Sequence, residues 1–396
     1  MSHARRRLRV GFITDIPTPY RDPLLERLHR RGSLDLQVIY CASSFVDRHW
    51  HLPPPAFPAR VLARRGFVVR GPTVLTYLIQ PEIVGLVWRA GFDLLFVSSF
   101  VQPTSLLAMA TARLLGVPYA IVCESHDRRE RSWALRLLRD PFLRRVIGGA
   151  AGGLAVGSLA REHLHRYGLP EERIFLFPNT PDVERFRREA AAARARRVEV
   201  RGQLATSPEA PVAIYVGRLL AIKDVQTLLA AWSRVQEELP EAILWVVGEG
   251  PERSPLTRLA ARVCPGGVRF HGHCQQEELA ALYAAADLFV LPSRDEPWGV
   301  VVNEAGASGL PLVTSDRVGA APDLVSPGET GFTFPSGDHQ ALARVMLSVL
   351  CSPDRGAAMG RRAQEVATTW GYDLAEAQFF EAVEALAPPA PVRRRS

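Results

Sequence analysis

Short apolar runs alternate with amphipathic helical stretches along almost the whole chain, and they do so in two successive series. "LRVGFIT", "DLQVIY", "FDLLFVSS", "PYAIVCE" and "GGLAVG" read as strands, with helical stretches such as "YRDPLLERLHRR" and "PTSLLAMATARLLG" between them. A helix between two strands returns the chain to the edge it started from. The strands therefore run parallel, and a parallel sheet needs helices on both faces. The pattern breaks between Arg185 and Ala210, where an Arg/Ala-rich helical piece is followed by "GQLATSPEAP", and resumes with "PVAIYVG", "AILWVVGEG", "GVRFHG", "ADLFVLPS" and "LPLVTS". This predicts an α/β chain of two Rossmann-like parallel-sheet domains facing an interdomain cleft. The expected boundaries are 1–184 for the first domain, 185–210 for a linker and 211–370 for the second domain. The tail "PPAPVRRRS" falls in an expected disordered segment at 388–396.

The length of 396 residues exceeds one ordinary core, and 47% hydrophobic with 22% charged residues suffices for two. A net charge of +7 favours acidic partners: nucleic acid, anionic lipid or a phosphorylated small molecule. The five cysteines, Cys41, Cys123, Cys264, Cys274 and Cys351, are scattered and contain no CxxC pair. They read as reduced cytosolic thiols rather than a disulfide framework or zinc module. The start "MSHARRRLRVGFITDIP" is basic and then apolar, but Asp15 and Pro17 interrupt it, so it reads as a first strand rather than a signal peptide. No stretch approaches the roughly 18 apolar residues of a membrane span. A soluble or peripheral protein is expected.

Ligands of open parallel sheets bind beyond the carboxyl ends of the strands, and the chemistry-bearing residues lie in those loops. "IYVGRLLAIKD" is a strand, a turn at Gly217, and then Arg218 and Lys223 at the start of a helix from about Asp224. Of 48 Lys and Arg residues Lys223 is the only lysine, and it falls beside a helix N-terminus suited to a diphosphate. "VVGEGPER" repeats the form with Gly248 and Gly250 before a helix near Pro251. It reads either as a close backbone approach to ligand or as a simple turn. In "SRDEPWGVVVNEAGASGLPLVTSD", Glu296 lies in a loop and Glu304 in the first turn of a helix expected to start near Val302 or Asn303. Both carboxylates can face one ligand beside the N–H groups of Gly299 to Val301. "AIVCESHDRRERS" places His126 and Asp127 after a strand, with a structural and a functional role for the histidine equally open. "TDIPTPYRDP" brings Tyr20 and Arg21 to the same side and lacks GxGxxG, which speaks against a dinucleotide dehydrogenase. "FHGHCQQ" matches no standard zinc module, and no metal is expected.

The second half resembles family 4 of the retaining GT-B glycosyltransferases. "VGRLLAIKD", "VVGEGPER", "FHGHCQQEELAALYAAADLFVLPS" and "EPWGVVVNEAGASGLPLV" carry the likeness, in order, over about residues 212–335. The resemblance implies that Arg218 and Lys223, with Gly217 and Gly248 in their loops, bind the donor diphosphate, and that Glu304 binds the ribose. It places Glu296 at the transferred sugar, which also meets backbone amides near Trp298, Gly299 and Val300. Gly272 to Cys274 would border the nucleobase, and His126 would approach the reaction centre. It implies further that the final helix, about 371–387, crosses back to complete the first domain. Departures include Pro17-Thr18-Pro19-Tyr20-Arg21 in place of a Gly-rich first loop, Asn179-Thr180 for Asn-Gly, and "VGAAPDLV" for a Gly-Gly-Glu form.

The implied function is metal-independent, retaining transfer of a hexose-type sugar from a UDP- or GDP-linked nucleotide sugar, with no cofactor. The acceptor hydroxyl belongs to a glycolipid, a polysaccharide precursor or a small-molecule glycoside, with Tyr20 and Arg21 on the acceptor side. A nucleotide-sugar epimerase, or a non-catalytic nucleotide-sugar-binding protein, on the same fold is the alternative. A pyridoxal phosphorylase would need Lys223 for its cofactor. No nucleic-acid motif is apparent. The basic stretch "RRERSWALRLLRDPFLRRVIGG", residues 128–149, either lies on an anionic membrane at the cytoplasmic face or buries its apolar side with the arginines in solvent.

Overall fold

The computed structural model describes residues 7–44, 53–63, 66–70, 74–128 and 133–388. The chain divides into two compact units, Met1–Asn179 with Asp373–Ser396, and Thr180–Tyr372. In the first unit the strands are β1 (Leu8–Thr14), β2 (Leu34–Tyr40), β3 (Ala59–Val61), β4 (Gly66–Arg70), β5 (Val74–Leu78), β6 (Leu94–Ser98), β7 (Tyr119–Cys123), β8 (Gly152–Ala155) and β9 (Ile174–Leu176). A seven-stranded parallel sheet runs β3-β2-β1-β6-β7-β8-β9, and β4 and β5 form a separate antiparallel pair. β6 and β7 are buried along their entire length, as expected of central strands with helices on both faces. The strand order reverses between β1 and β6.

All but the first residue of the helix Tyr372–Leu386 belongs to this unit. Phe379 is fully buried, with its ring centroid 4.9 Å from Phe96 and 5.8 Å from Phe177. The buried Glu376 receives Arg27 and Arg31 from the helix Asp22–Arg30 and its C-cap. Leu386 lies so close to Gly152 that a Cβ there would stand 2.7 Å from its methyl carbons.

The second unit repeats the plan. Its strands are β10 (Val212–Val216), β11 (Ile243–Val247), β12 (Val268–Gly272), β13 (Leu288–Leu291), β14 (Leu312–Ser315) and β15 (Gly331–Phe334), in the order β12-β11-β10-β13-β14-β15, all parallel. The reversal here lies between β10 and β13. Two large indoles anchor this core. Trp232 donates from Nε1 to the Gly267 carbonyl at 3.1 Å, and Trp245 donates to Thr206 Oγ1 at 3.1 Å, so each buried N–H is satisfied.

The segment read as a linker, 185–210, differs from that expectation. It forms most of the helix Val183–Arg194 and all of the helix Arg197–Gln203, and both lie in the second unit. Asp182 caps the first, accepting from the Arg185 N–H at 2.9 Å. Val183, Phe186 and Ala190 bury one face, with Phe186 6.3 Å from Tyr283. Arg201 is 1% exposed and pairs with Asp287 at 2.7 Å while donating to the carbonyls of Ala285 and Ala210. A buried guanidinium with every contact local to one unit belongs to that unit's core, not to a flexible connection. Residues 389–396, most of the expected disordered tail, lie outside the described residues.

Phe379→Ala should remove about 3–5 kcal/mol from the stability of the first unit, because a fully buried aromatic leaves a cavity that its neighbours fill only in part. Chemical denaturation followed at that unit's transition checks this. A loss under about 1 kcal/mol would mean the last helix is not integral to that core.

Candidate active site

In the second unit the loops after β10, β11, β13 and β14 meet at one edge of the sheet, beside the reversal of strand order. Backbone hydrogen bonds join them. Leu219 N–H donates to the Glu249 carbonyl at 2.8 Å and Arg294 N–H to the Ile222 carbonyl at 2.9 Å. Gly319 N–H donates to the Glu296 carbonyl at 2.8 Å. Glycine is required where these loops touch. A Cβ at Gly248 would stand 1.9 Å from the Gly217 carbonyl oxygen, and one at Gly250 would stand 2.3 Å from the Leu219 carbonyl oxygen. The two glycines of "VGEG" are thus explained by loop against loop. The Gly272 carbonyl accepts from Gly248 N–H at 2.6 Å, which brings the loop after β12 alongside.

Lys223 ends a short 3-10 turn, Ala221–Lys223, ahead of the helix Val225–Glu238. Its ammonium pairs with Glu296 Oε2, and the two side chains are only 14% and 13% exposed. Ser293 Oγ donates to the same oxygen at 3.4 Å. Arg218 is half-buried at the other end of the β10 loop, where its carbonyl accepts from the buried Tyr215 hydroxyl at 2.9 Å.

The helix after Glu296 is Val300–Ala307, with Gly299 in a left-handed conformation at φ 96° as its N-cap. It starts two residues before the position expected, so Glu304 lies in the second turn rather than the first. A first-turn carboxylate favours a helix electrostatically, whereas Glu304 is buried one turn further in and 6% exposed. Tyr283 Oη donates to Glu304 Oε2 at 3.1 Å. Burial pushes the Glu304 carboxyl up to about 7, and the Tyr283 hydrogen bond pulls in the opposite direction. The Trp298 side chain is turned into the protein, with Nε1 donating to Asn303 Oδ1 at 2.9 Å and its ring 5.6 Å from Trp370. Its backbone, with Gly299 and Val300, forms the entry to a helix whose first turn leaves N–H groups without intrahelical acceptors. Cys274 is half-buried and its thiol is pushed up to about 11 by burial, reinforced by Glu278. His271 and His273 are exposed. Among the described residues no group of three or more His, Cys, Asp or Glu could hold a metal ion.

The first unit has its own polar cluster beyond β1 and β7. Arg21 is 4% exposed. It donates from Nη2 to Glu124 Oε1 at 2.9 Å and to Asn179 Oδ1, with Cζ 5.8 Å from the Phe177 ring. Among the described residues, Arg21 Nη1 and Asp15 Oδ1 are buried without a hydrogen-bond partner. Burial, then the Glu124 charge, push the Asp15 carboxyl up to about 7 against the pull of Arg21. His126 is buried, and Tyr20 is half-buried. Asp127, next in sequence to His126, sits 3.0 Å from His163 Nδ1. Burial acts to raise its carboxyl, but His163, Arg166 and Arg139 hold it below the ordinary range. Asp127 is thereby occupied in packing this unit.

Lys223 and Glu296, assigned to different loops from the sequence, are in direct contact. Tyr20, Arg21 and His126 lie in the other unit. Sequence reasoning missed Asp15 and Glu124, whose only signal is their place directly after β1 and β7, and also the pair Asp224 and Arg294.

The chain that carries these loops belongs to a known family. Residues 197–366 match the family described as Glycosyl transferases group 1, and residues 4–180 match the Glycosyl transferase 4-like domain. Over 314 residues the chain is 31% identical to the GDP-mannose-dependent alpha-(1-6)-phosphatidylinositol monomannoside mannosyltransferase of Mycolicibacterium smegmatis. That alignment covers 75% of this chain and 78% of that protein. It is 30% identical over 343 residues to the sulfoquinovosyl transferase of Arabidopsis thaliana, covering 81% of this chain but only 62% of the plant protein's length. Among solved structures, HepE of Anabaena in complex with UDP superposes with a TM-score of 0.74 at 18% identity, covering 96% of this chain and 100% of that one. Sucrose-phosphate synthase of Thermosynechococcus elongatus gives 0.70 at 21%, covering 96% and 99%. The fold is GT-B, and the chain belongs to the group 1, family 4-like glycosyl transferases.

Glu304→Gln tests the burial of this carboxyl. The folded protein holds its proton more tightly than the unfolded chain, whose Glu titrates near 4.5. The stability it contributes is complete below about pH 4.5 and is lost as pH rises through about 7. Urea denaturation of the second unit should show wild type losing roughly 3 kcal/mol relative to the Glu304→Gln variant across that window. A difference independent of pH would contradict the burial.

Proposed function

We propose that the protein transfers a hexose-type sugar from a nucleoside-diphosphate sugar to a hydroxyl acceptor with retention of anomeric configuration. The observation that carries this reading is the meeting of Lys223 and Glu296 at the strand-order reversal of the second unit, where open parallel sheets take their ligands. In the proposed complex the donor diphosphate takes Lys223, with Arg218 as second cation, and so releases Glu296 to accept from sugar hydroxyls. The N–H groups at Gly299 and Val300 add to the sugar contacts, Glu304 meets the ribose, and Gly272 to Cys274 border the base. A UDP- or GDP-linked donor is supported by the UDP held in HepE and by the GDP-mannose dependence of the mycobacterial relative.

The bond that breaks joins the anomeric carbon to the leaving diphosphate oxygen. The bond that forms joins the same carbon to the acceptor oxygen on the same face, and the acceptor's proton passes to the departing phosphate. Negative charge grows on the diphosphate in this step, where Arg218 and Lys223 stabilise it. Two fixed cations supply the charge a divalent metal would otherwise bring, so donor binding is proposed to persist in EDTA. His126 is proposed to act at the reaction centre, and Tyr20 with Arg21 on the acceptor side.

A glycolipid-type acceptor is supported by the phosphatidylinositol monomannoside named for the mycobacterial relative. No helix among the described residues is long and apolar enough to cross a membrane. In the helix Trp133–Ile147, Leu137 and Phe142 are exposed beside exposed Arg144 and Arg145, which suits peripheral contact with anionic lipid at the cytoplasmic face. Residues 129–132 of that basic stretch lie outside the described residues.

Calorimetric titration of UDP and GDP with EDTA present, into wild type and Lys223→Ala, tests the donor site. Loss of a charge-assisted contact worth about 1.5–3 kcal/mol should weaken binding roughly 10- to 150-fold. Equal affinity of both proteins would remove Lys223 from the donor site.

A further inference from the structure

The working pair Lys223–Glu296 cannot by itself hold its two loops in register, because on the reading above the donor separates it. A second tie lies directly beside it. Asp224 follows Lys223 in the chain, and Arg294 stands two residues before Glu296. Arg294 Nε reaches Asp224 Oδ2 at 2.9 Å, and its Nη2 donates to Asp224 Oδ1 at 3.1 Å. This is the parallel, two-bond geometry that a planar guanidinium makes with a carboxylate and that a lysine ammonium does not.

Asp224 is unusual in two further respects. Its backbone is left-handed at φ 52°, ψ 39°, a conformation that disfavours side-chain-bearing residues. It also occupies the N-cap of the helix Val225–Glu238, yet its carboxylate makes no capping bond to that helix's N–H groups. The carboxylate instead takes Arg294 on both oxygens and the Thr227 hydroxyl at 2.7 Å, and is only 3% exposed. An N-cap residue whose buried carboxylate takes the guanidinium of the neighbouring loop rather than its own helix's N–H groups is organised for that loop.

We infer that Asp224 and Arg294 are positioning residues that fix the loops after β10 and β13, so that Lys223 and Glu296 stay aligned when donor enters between them. This rests on the donor-site reading of Lys223. The backbone bond from Arg294 N–H to the Ile222 carbonyl at 2.9 Å reinforces the tie, and neither residue is assigned to contact the donor.

Because Lys223 is the only lysine, an amine-reactive reagent followed by peptide mass spectrometry reports its accessibility without interference from other lysines. In Arg294→Ala and Asp224→Gly, Lys223 should be labelled several-fold faster than in wild type. The glycine variant accepts the left-handed backbone without strain, so it removes the tie while leaving the turn. UDP and GDP titrations should show each single variant binding about tenfold more weakly. The double variant should bind no more weakly than Asp224→Gly alone, because Arg294→Ala acts through a contact that variant already lacks. Arg294→Lys should recover only part of the loss. An unchanged labelling rate would overturn the inference, as would effects that multiply in the double variant, since Arg294 would then act on the ligand directly. If wild type binds neither nucleotide, the donor-site reading fails, and the labelling rates still decide whether the tie holds Lys223.

Discussion

Parallel strand pairing is the constraint on which the rest depends. Once β10 pairs with β11 on one side and β13 on the other, every loop that follows a strand is delivered to one edge, and the reversal of order opens a place there. Residues 73 apart in sequence, Lys223 and Glu296, come into contact because of this wiring and not because of any local spacing. The same rule in the first unit gathers Asp15 after β1 and Glu124 after β7 around Arg21. In both units the polar side chains are held by loops pinned to neighbouring loops, and the glycines at 248 and 250 let those backbones touch.

The electrostatics follow from that confinement. Lys223 and Glu296 satisfy one another with little exposure, so a ligand that claims the ammonium must compensate for the contact it replaces. A phosphate can do so, being anionic and rich in acceptors, and sugar hydroxyls can in turn satisfy the carboxylate. Glu304 differs from Glu296, since it faces a tyrosine hydroxyl rather than a cation and burial dominates its titration.

Much of the fold was legible in the sequence wherever strands form continuous apolar runs. "LRVGFIT" coincides with β1, and the runs at β7, β10 and β13 are each bounded by turn residues. β3 and β9 were not legible because three residues carry no periodicity, and β15, "GFTF", is interrupted by glycine and threonine. Within 185–210 the Arg/Ala-rich start was legible as helix, but its place in the second unit's core was hidden by arginines, whose charge masks the apolar face of Val183, Phe186 and Ala190. The early start of the helix holding Glu304 was hidden by three consecutive valines, poor helix formers that the left-handed Gly299 nonetheless launches. Lys223 and Glu296 could be singled out because they sit beside turns. Asp224 and Arg294 could not, because a contact between residues 70 positions apart leaves no motif.

On the proposed function Lys223, the single lysine of the chain, binds the ligand together with Arg218. Protein grown with 15N-lysine gives one side-chain ammonium signal and one lysine backbone amide, both from residue 223. Titration with UDP and with GDP should shift the ammonium signal to a saturating endpoint for the preferred nucleotide, in step with binding. A signal that stays in place while either nucleotide binds would contradict the account.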